Sequence, residues 1–378
     1  MGLKPKVRIL TSSHKANDER IFYKQAKSIA GAGYDTAIIA PRQDGDVLDG
    51  IAIKSAPKLN GKFARLLITP VYILLSAIKE KADLYHFHDP ELIPAGVVLK
   101  LLGRSVVYDA HEYYKYKIMS KTGVPGIFRQ LIASAFDLFE TLASMTFDGV
   151  IVVDRVTEAK FRGRAVRVGN FPFRPARPVR RRKRTGEFKC VYAGGLSADR
   201  GLFKMVQAME YVDDRIKLVL AGPMSDGDIE KMKRLKGYKR VEYLGFIPWL
   251  KVLEMLPECD LGLALLQPVP AYIYAGENTV KLFEYMMACL PTLASDFPNL
   301  KKILDHEACG ITVDPTNPAL IAERIMYFAD NPDAAVRMGE NGVKAVMARY
   351  NWEKEEKKLL ALYGKILDSK AQGGRCHA

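Results

Sequence analysis

The chain has few features that would cross-link it or carry it through a membrane. Its 378 residues include five cysteines, Cys190, Cys259, Cys289, Cys309 and Cys376. The number is odd, the positions are scattered and none falls in CxxC spacing. Neither a disulfide framework nor a thiolate zinc site is expected, and a reducing compartment fits best. Long hydrophobic runs are missing too. The longest, from Leu66 to Ile78, falls short of the roughly 20 residues a spanning helix needs and contains Pro70. The first residues, Met1 to Leu10, enter a strand with no apolar leader, so no secretory signal is expected. No Asp-x-Asp pair suited to a divalent metal stands out, since Asp213-Asp214 falls between a helix and a strand, where a turn explains it. Negative charge is scarce: 57 Lys and Arg against 43 Asp and Glu leave a formal net charge of +14. That surplus calls for an anionic partner, and nucleic acid, anionic lipid and phosphorylated substrates all qualify.

What is present is a repeating alternation. Strand patterns at Val7–Thr11, Tyr34–Ala40, Ile51–Lys54, Leu84–Phe87, Val106–Tyr108 and Val150–Val153 are separated by helical patterns over 21–32, 63–80, 91–102 and 126–146. Such alternation predicts a parallel sheet covered on both faces, with ligands at the carboxyl ends of its strands. The rhythm breaks over 171–187, where prolines and basic residues crowd together, and this stretch reads as a linker. It then restarts over 188–350. A final apolar stripe on 351–370 reads as a separate closing helix, and 371–378 as a disordered tail. The expected organisation is therefore α/β, with one Rossmann-like domain over 1–170 and a second over 188–350.

The most informative stretch is Asn278-Thr-Val-Lys281-Leu282-Phe283-Glu284, followed by Leu290-Pro291-Thr-Leu-Ala-Ser295-Asp296. It places a helix N-terminus just ahead of a carboxylate. Backbone amides at a helix start suit a diphosphate, and a carboxylate can accept from both hydroxyls of a ribose. The loop Tyr192-Ala-Gly194-Gly195-Leu-Ser-Ala-Asp-Arg200-Gly201 follows a strand and opens a helix, so its amides and Arg200 form a second candidate phosphate contact. An ordinary strand-to-helix turn explains the glycines equally well. In the first half, His14, His86, His88 and His111 all fall near strand ends, which brings their loops towards one crevice.

These segments resemble the glycosyltransferase family 4 enzymes, also described as glycosyl transferases group 1. The 278–296 stretch is similar to that family's donor-site signature, 192–201 to its diphosphate loop, and His86-Phe-His88-Asp89 and Tyr108-Asp-Ala-His111-Glu112 to its HxHD and YDxHE segments. The resemblance implies a retaining, metal-independent enzyme of the GT-B fold, with two Rossmann-like doubly wound domains facing a central cleft and a last helix crossing back to the first. It implies no cofactor, a UDP- or GDP-linked sugar as donor, and transfer to a hydroxyl of a glycolipid or glycan acceptor in cell envelope biosynthesis.

Carried over residue by residue, the resemblance puts Gly194, Gly195, Arg200, Gly222, Phe246, Lys281, Leu282, Phe283 and Glu284 on the donor. His111, His88, Asp89 and Glu277 fall at the reacting centre, and Ser13, His14, Arg20 and Glu112 on the acceptor side. Two positions depart from the pattern. Gly195 stands where many members carry Arg, and Lys281 can substitute for the lost charge. Gly276 stands where a first Glu is usual, with Glu277 one residue away. Asp18 reads either as a helix N-cap or as part of the acceptor loop.

The basic surplus, with Tyr and Lys interleaved over 111–121 and a strongly apolar 63–80, suits an anionic membrane surface on the cytoplasmic side. A buried helix and a solvated loop account for the same residues. No nucleic-acid motif accompanies the charge. The rival functions are a catalytically inert lipid- or partner-binding subunit and a nucleotide-sugar epimerase.

Overall fold

The computed structural model describes residues 4–41, 47–57, 62–121, 125–175, 186–274 and 279–373. It divides into two compact units, one of residues up to Asn170 together with the chain from Glu353 onward, and one from Phe171 to Trp352.

The first unit opens with β1 (Lys6–Leu10) and a π-helical segment, Glu19–Ala26, that runs into α1 (Lys27–Gly31). Asp18 caps this segment, its carboxylate accepting from the Arg20 and Ile21 amides. Then come β2 (Asp35–Pro41), β3 (Val47–Leu48), β4 (Ile51–Ala56), α2 (Lys62–Glu80), β5 (Leu84–Phe87) and α3 (Ile93–Leu101). They are followed by β6 (Ser105–Ala110), α4 (Tyr114–Met119), α5 (Gly126–Ser144), β7 (Gly149–Val152), α6 (Arg155–Lys160) and β8 (Ala165–Arg167). The strands form one sheet in the order β3-β4-β2-β1-β5-β6-β7-β8, parallel except for the β3–β4 hairpin.

Strand alternation decides what each face meets. Tyr85, Phe87 and Tyr108 point to the side covered by α2, α3 and α5, where Ile73, Ala77, Ala95 and Leu99 complete a core. His86 and Asp109 point to the opposite side. There the closing helix covers the sheet, and Tyr363 places its hydroxyl 2.7 Å from His86 Nδ1.

The second unit continues with β9 (Phe188–Ala193), α7 (Leu202–Ala208), β10 (Ile216–Ala221), α8 (Asp226–Lys233), β11 (Val241–Tyr243), α9 (Trp249–Met255), β12 (Leu261–Ala264) and α10 (Pro270–Ile273). It ends with α11 (Val280–Met287), β13 (Thr292–Ser295), α12 (Pro298–Glu307), β14 (Gly310–Val313), α13 (Pro318–Asp330) and α14 (Pro332–Ala348), after which α15 (Trp352–Gly373), the closing helix, returns to the first unit from Glu353 onward. Its sheet runs β11-β10-β9-β12-β13-β14, parallel throughout. The order turns back at β9 and β12, which places the switch point where ligands bind in doubly wound sheets.

Several short elements escaped the sequence reading. Residues 114–119 are helical, and α6, β8, α12 and β14 fill stretches left unassigned. All are ten residues or fewer, too short for periodicity to separate from loop. Most of the basic linker (176–185) and the last residues of the expected tail (374–378) lie outside the described residues, while α15 runs to Gly373.

Candidate functional site

The donor elements of the second unit converge at the carboxyl ends of β9, β10 and β11. A glycine follows each strand: Gly194 directly after β9, Gly222 directly after β10 and Gly245 two residues beyond β11. They are tied in series, the Gly194 amide donating to the Ala221 carbonyl and the Gly222 amide to the Gly245 carbonyl at 2.7 Å. A Cβ at Gly222 would lie 1.9 Å from the Gly194 carbonyl oxygen, and its φ of +144° is one that only glycine adopts readily. This pair of loops therefore presents bare backbone.

Two cations stand over that backbone. The Lys281 ammonium lies 4.8 Å from the centre of the Tyr192 ring and would be 3.3 Å from a Cβ at Gly194. Arg200 folds back over Gly195, with Nη1 3.4 Å from where a Cβ would stand. The Tyr192 and Tyr272 hydroxyls beside it keep its guanidinium charged against burial. The Tyr272 phenol is pushed up to about 12 by burial, so it stays neutral.

Glu284 sits on α11, one turn in from Lys281 and buried. Its Oε1 accepts from the Trp249 indole N–H at 2.7 Å. Trp249 is the site residue that the sequence reading missed. Only the three-dimensional approach of α9 to α11 reveals it, because 35 residues separate the two. Leu282 and Phe283 turn their side chains into the core, where Phe283 meets Phe171 and Tyr350, so only their backbone can face a ligand. Phe246 is 63% exposed just beyond Gly245. Gly276 and Glu277 lie outside the described residues.

The first unit gathers its own cluster. Asp89 is fully buried and accepts from Thr11 Oγ1 (2.7 Å), the Ser12 amide (2.7 Å), the Ser13 amide (3.1 Å) and Ser13 Oγ (2.5 Å). His14 Nδ1 lies 2.8 Å from its other oxygen, at an angle better suited to an ion pair than to a hydrogen bond. Burial alone would raise the Asp89 carboxyl. The ion pair with His14 and the hydrogen bonds from Ser13 and Thr11 hold it well below the carboxylate range instead. Burial also opposes a charge on His14, but Asp89 prevails and pushes the imidazole up to about 9. His14 is therefore a cation at neutral pH.

His111 packs edge-on against His14, ring centres 5.1 Å apart, and lies 5.9 Å from His88. Its Nδ1 is 3.3 Å from the Asp109 carbonyl. His88 is fully buried, and that burial drives it well below its ordinary value, so it stays neutral. Arg20 is buried as well, held by Asp109 (Nε–Oδ2 3.0 Å) and the Val168 carbonyl (3.1 Å), so its guanidinium is committed to the interior of the unit. Glu112 pairs with Lys117, and that neighbour helps keep it ionised against burial.

Among the described residues, His86, His88 and Asp109 bring possible metal-ligand atoms within 4.8 Å of one another. Asp109 already accepts from Arg20 and from Gln25 Nε2 (2.6 Å). A fixed guanidinium on the same carboxylate opposes a metal cation there.

A cavity of about 620 Å³ adjoins this cluster. Ser13 and His14 form part of its wall, Leu66, Pro94, Ile118, Phe136 and Phe139 make it apolar, and Glu91, Lys117 and Lys121 supply charge of both signs.

Two family models match consecutive stretches: Glycosyltransferase Family 4 over residues 19–168 and Glycosyl transferases group 1 over 174–345. The chain belongs to this glycosyltransferase family. Sucrose-phosphate synthase from Thermosynechococcus elongatus has the same GT-B fold, with a TM-score of 0.75 at 17% identity over 96% of this chain and 100% of that one. The Anabaena protein HepE, solved with UDP-glucose, gives 0.72 at 15% identity over 95% of this chain and 99% of that one. Among curated relatives, the α-D-kanosaminyltransferase of Streptomyces kanamyceticus is 26% identical over 184 residues, 47% of this chain and 45% of that protein. The chain spans less than half the length of the curated relatives it matches.

Proposed function

We propose that this family 4 member is a retaining glycosyltransferase that moves a sugar from a UDP- or GDP-linked donor to an acceptor hydroxyl. The observation that carries the reading is Glu284, a buried carboxylate oriented by Trp249 and one turn from Lys281. With Oε1 on the indole, the carboxylate can accept from the ribose hydroxyls of a nucleotide. Arg200 and Lys281 flank the glycine backbone where a diphosphate would sit, and they meet the charge that grows on the leaving group without a metal ion. Phe246, exposed beside Gly222 and Gly245, offers a ring to the base. A UDP-sugar bound to HepE is consistent with such a donor.

His111, at the reacting end of the first unit's cluster, is assigned to the donor sugar. The adjoining cavity, with apolar walls and two lysines, is assigned to the acceptor. That lining favours a glycolipid at the cytoplasmic face of a membrane over a free sugar. Among the described residues no helix is long and apolar enough to cross a membrane, so such contact would be peripheral.

The test is turnover of UDP- and GDP-sugars with short-chain lipid-linked acceptors, following the anomeric proton by NMR after dialysis against EDTA. The reading expects product with the donor's anomeric configuration and no loss on chelation. Inverted product would remove the retaining assignment. Donor binding with no transfer to any acceptor would leave a binding subunit.

A further inference from the structure

Helices α2, α3 and α5 cover one side of the first sheet, and beyond the residues they give to the core they also carry large apolar side chains on their outward faces. On α2, Leu67, Val71, Leu75 and Ile78 form an exposed stripe, while Thr69 and Ala77 face the core. On α5, Phe128, Leu131, Leu138, Leu142 and Met145 recur at three- and four-residue intervals, all exposed. Leu101 at the end of α3 is 82% exposed. The acidic residues of these helices point the other way. Glu80 pairs with Arg8 and Lys54, Asp137 with Lys115 and Lys160, and Glu140 with Lys160 and the Tyr108 hydroxyl. The layer turns its acidic residues inward and leaves hydrocarbon on its outer face, where a helix that meets water carries polar residues. Contiguous apolar surface of this kind marks a contact with a partner.

We infer that the α2–α3–α5 layer docks onto an anionic bilayer and that the cavity beside it draws an amphiphilic acceptor from that bilayer. Charge selects the occupant. Lys79, Lys81 and Lys121 are exposed at the ends of these helices, and the chain as a whole carries +14. A second copy would bring the same charge to the interface, whereas a surface of anionic headgroups complements it. Continuity ties the layer to the site: Leu66 and Phe139 belong both to the cavity wall and to the exposed apolar face. A lipid tail can therefore run from the layer past these residues, with its anionic group at Lys121 and its hydroxyl end towards Ser13 and His14. The inference rests on the acceptor half of the proposed function and not on its donor half.

The experiment is co-sedimentation of the full chain with phosphatidylcholine vesicles, with and without phosphatidylglycerol, over a salt series. Wild type should bind the anionic vesicles, and less so as salt rises. The double variant Leu75→Glu/Leu131→Glu should lose about tenfold or more of that binding, while Tyr211→Glu, an exposed apolar position of the second unit, should keep it. The variants should retain the wild-type thermal shift with UDP- or GDP-sugar, which separates this inference from the donor reading. A folded wild type that ignores both vesicle types overturns the inference. So does a concentration-dependent dimer abolished by Leu75→Glu/Leu131→Glu in the absence of vesicle binding.

Discussion

At the scale of single residues, the Asp89–His14 pair holds the loop after β1. His14 is raised to about 9 in the folded chain against 6.5 free. Its contribution to stability is complete below pH 6.5 and is lost as pH rises through about 9. Asp89 is depressed below 3.8, so its contribution is present above that value and fades as pH falls through its folded value. The pair is charged across the neutral range. By NMR the His14 imidazole should titrate near pH 9, and in Asp89→Asn it should return towards 6.5 with a loss of about 3 kcal/mol in stability. An ordinary titration of His14 in wild type would refute the pair. Trp249 gives a second residue-scale prediction. Trp249→Phe removes the indole bond to Glu284 and should weaken nucleotide-sugar binding about tenfold, roughly 1.4 kcal/mol, in calorimetry, with little change in folding. Glu284 was legible because a lone carboxylate inside an apolar helix is conspicuous. Trp249 was not, since nothing in its own surroundings marks it as a partner of residue 284.

At the scale of elements, the loops after β9 and β10 are in backbone contact, and glycine makes that possible. Gly222→Ala places a methyl group against the Gly194 carbonyl and should cost about 1–3 kcal/mol in strain, with nucleotide-sugar binding lost beyond what the melting temperature explains. An unchanged affinity would show that the two loops can part without consequence. The long strands and helices were legible because β-branched runs and 3.6-residue stripes leave strong signals. The direction of the stripes was not. Periodicity marks an apolar face on α2 and α5 but does not say what covers it. That depends on Glu80, Asp137 and Glu140 finding cations on the inner side, which are long-range pairings. The cluster of four histidines was legible as strand-end loops. That Arg20 is buried under Asp109 was not, because a basic residue near a helix start looks exposed by default.

At the scale of the molecule, each unit gathers its own cluster of polar side chains. The first unit is completed by the far end of the chain. Tyr363 of α15 is fully buried and meets His86, and Glu355 accepts from the Gly169 amide at 2.8 Å. Tyr363→Phe should lower the stability of the first unit by about 1 kcal/mol, seen as earlier hydrogen exchange in β1 and β5 with the second unit unchanged. Two parallel sheets were legible from the break in alternation. The net charge foretold an anionic partner but could not choose between substrate and surface, because composition carries no geometry.

The proposed nucleotide-sugar site consists of Glu284, Arg200 and the glycine loops that follow β9, β10 and β11. The most direct measurement is calorimetric titration of the purified chain with UDP-, GDP-, ADP- and dTDP-sugars, repeated on Glu284→Ala and Arg200→Ala. Saturable binding of a UDP- or GDP-sugar, lost in both variants while they remain folded, is the outcome the geometry requires. Heat from no nucleotide-sugar, or binding that survives Glu284→Ala unchanged, would contradict it.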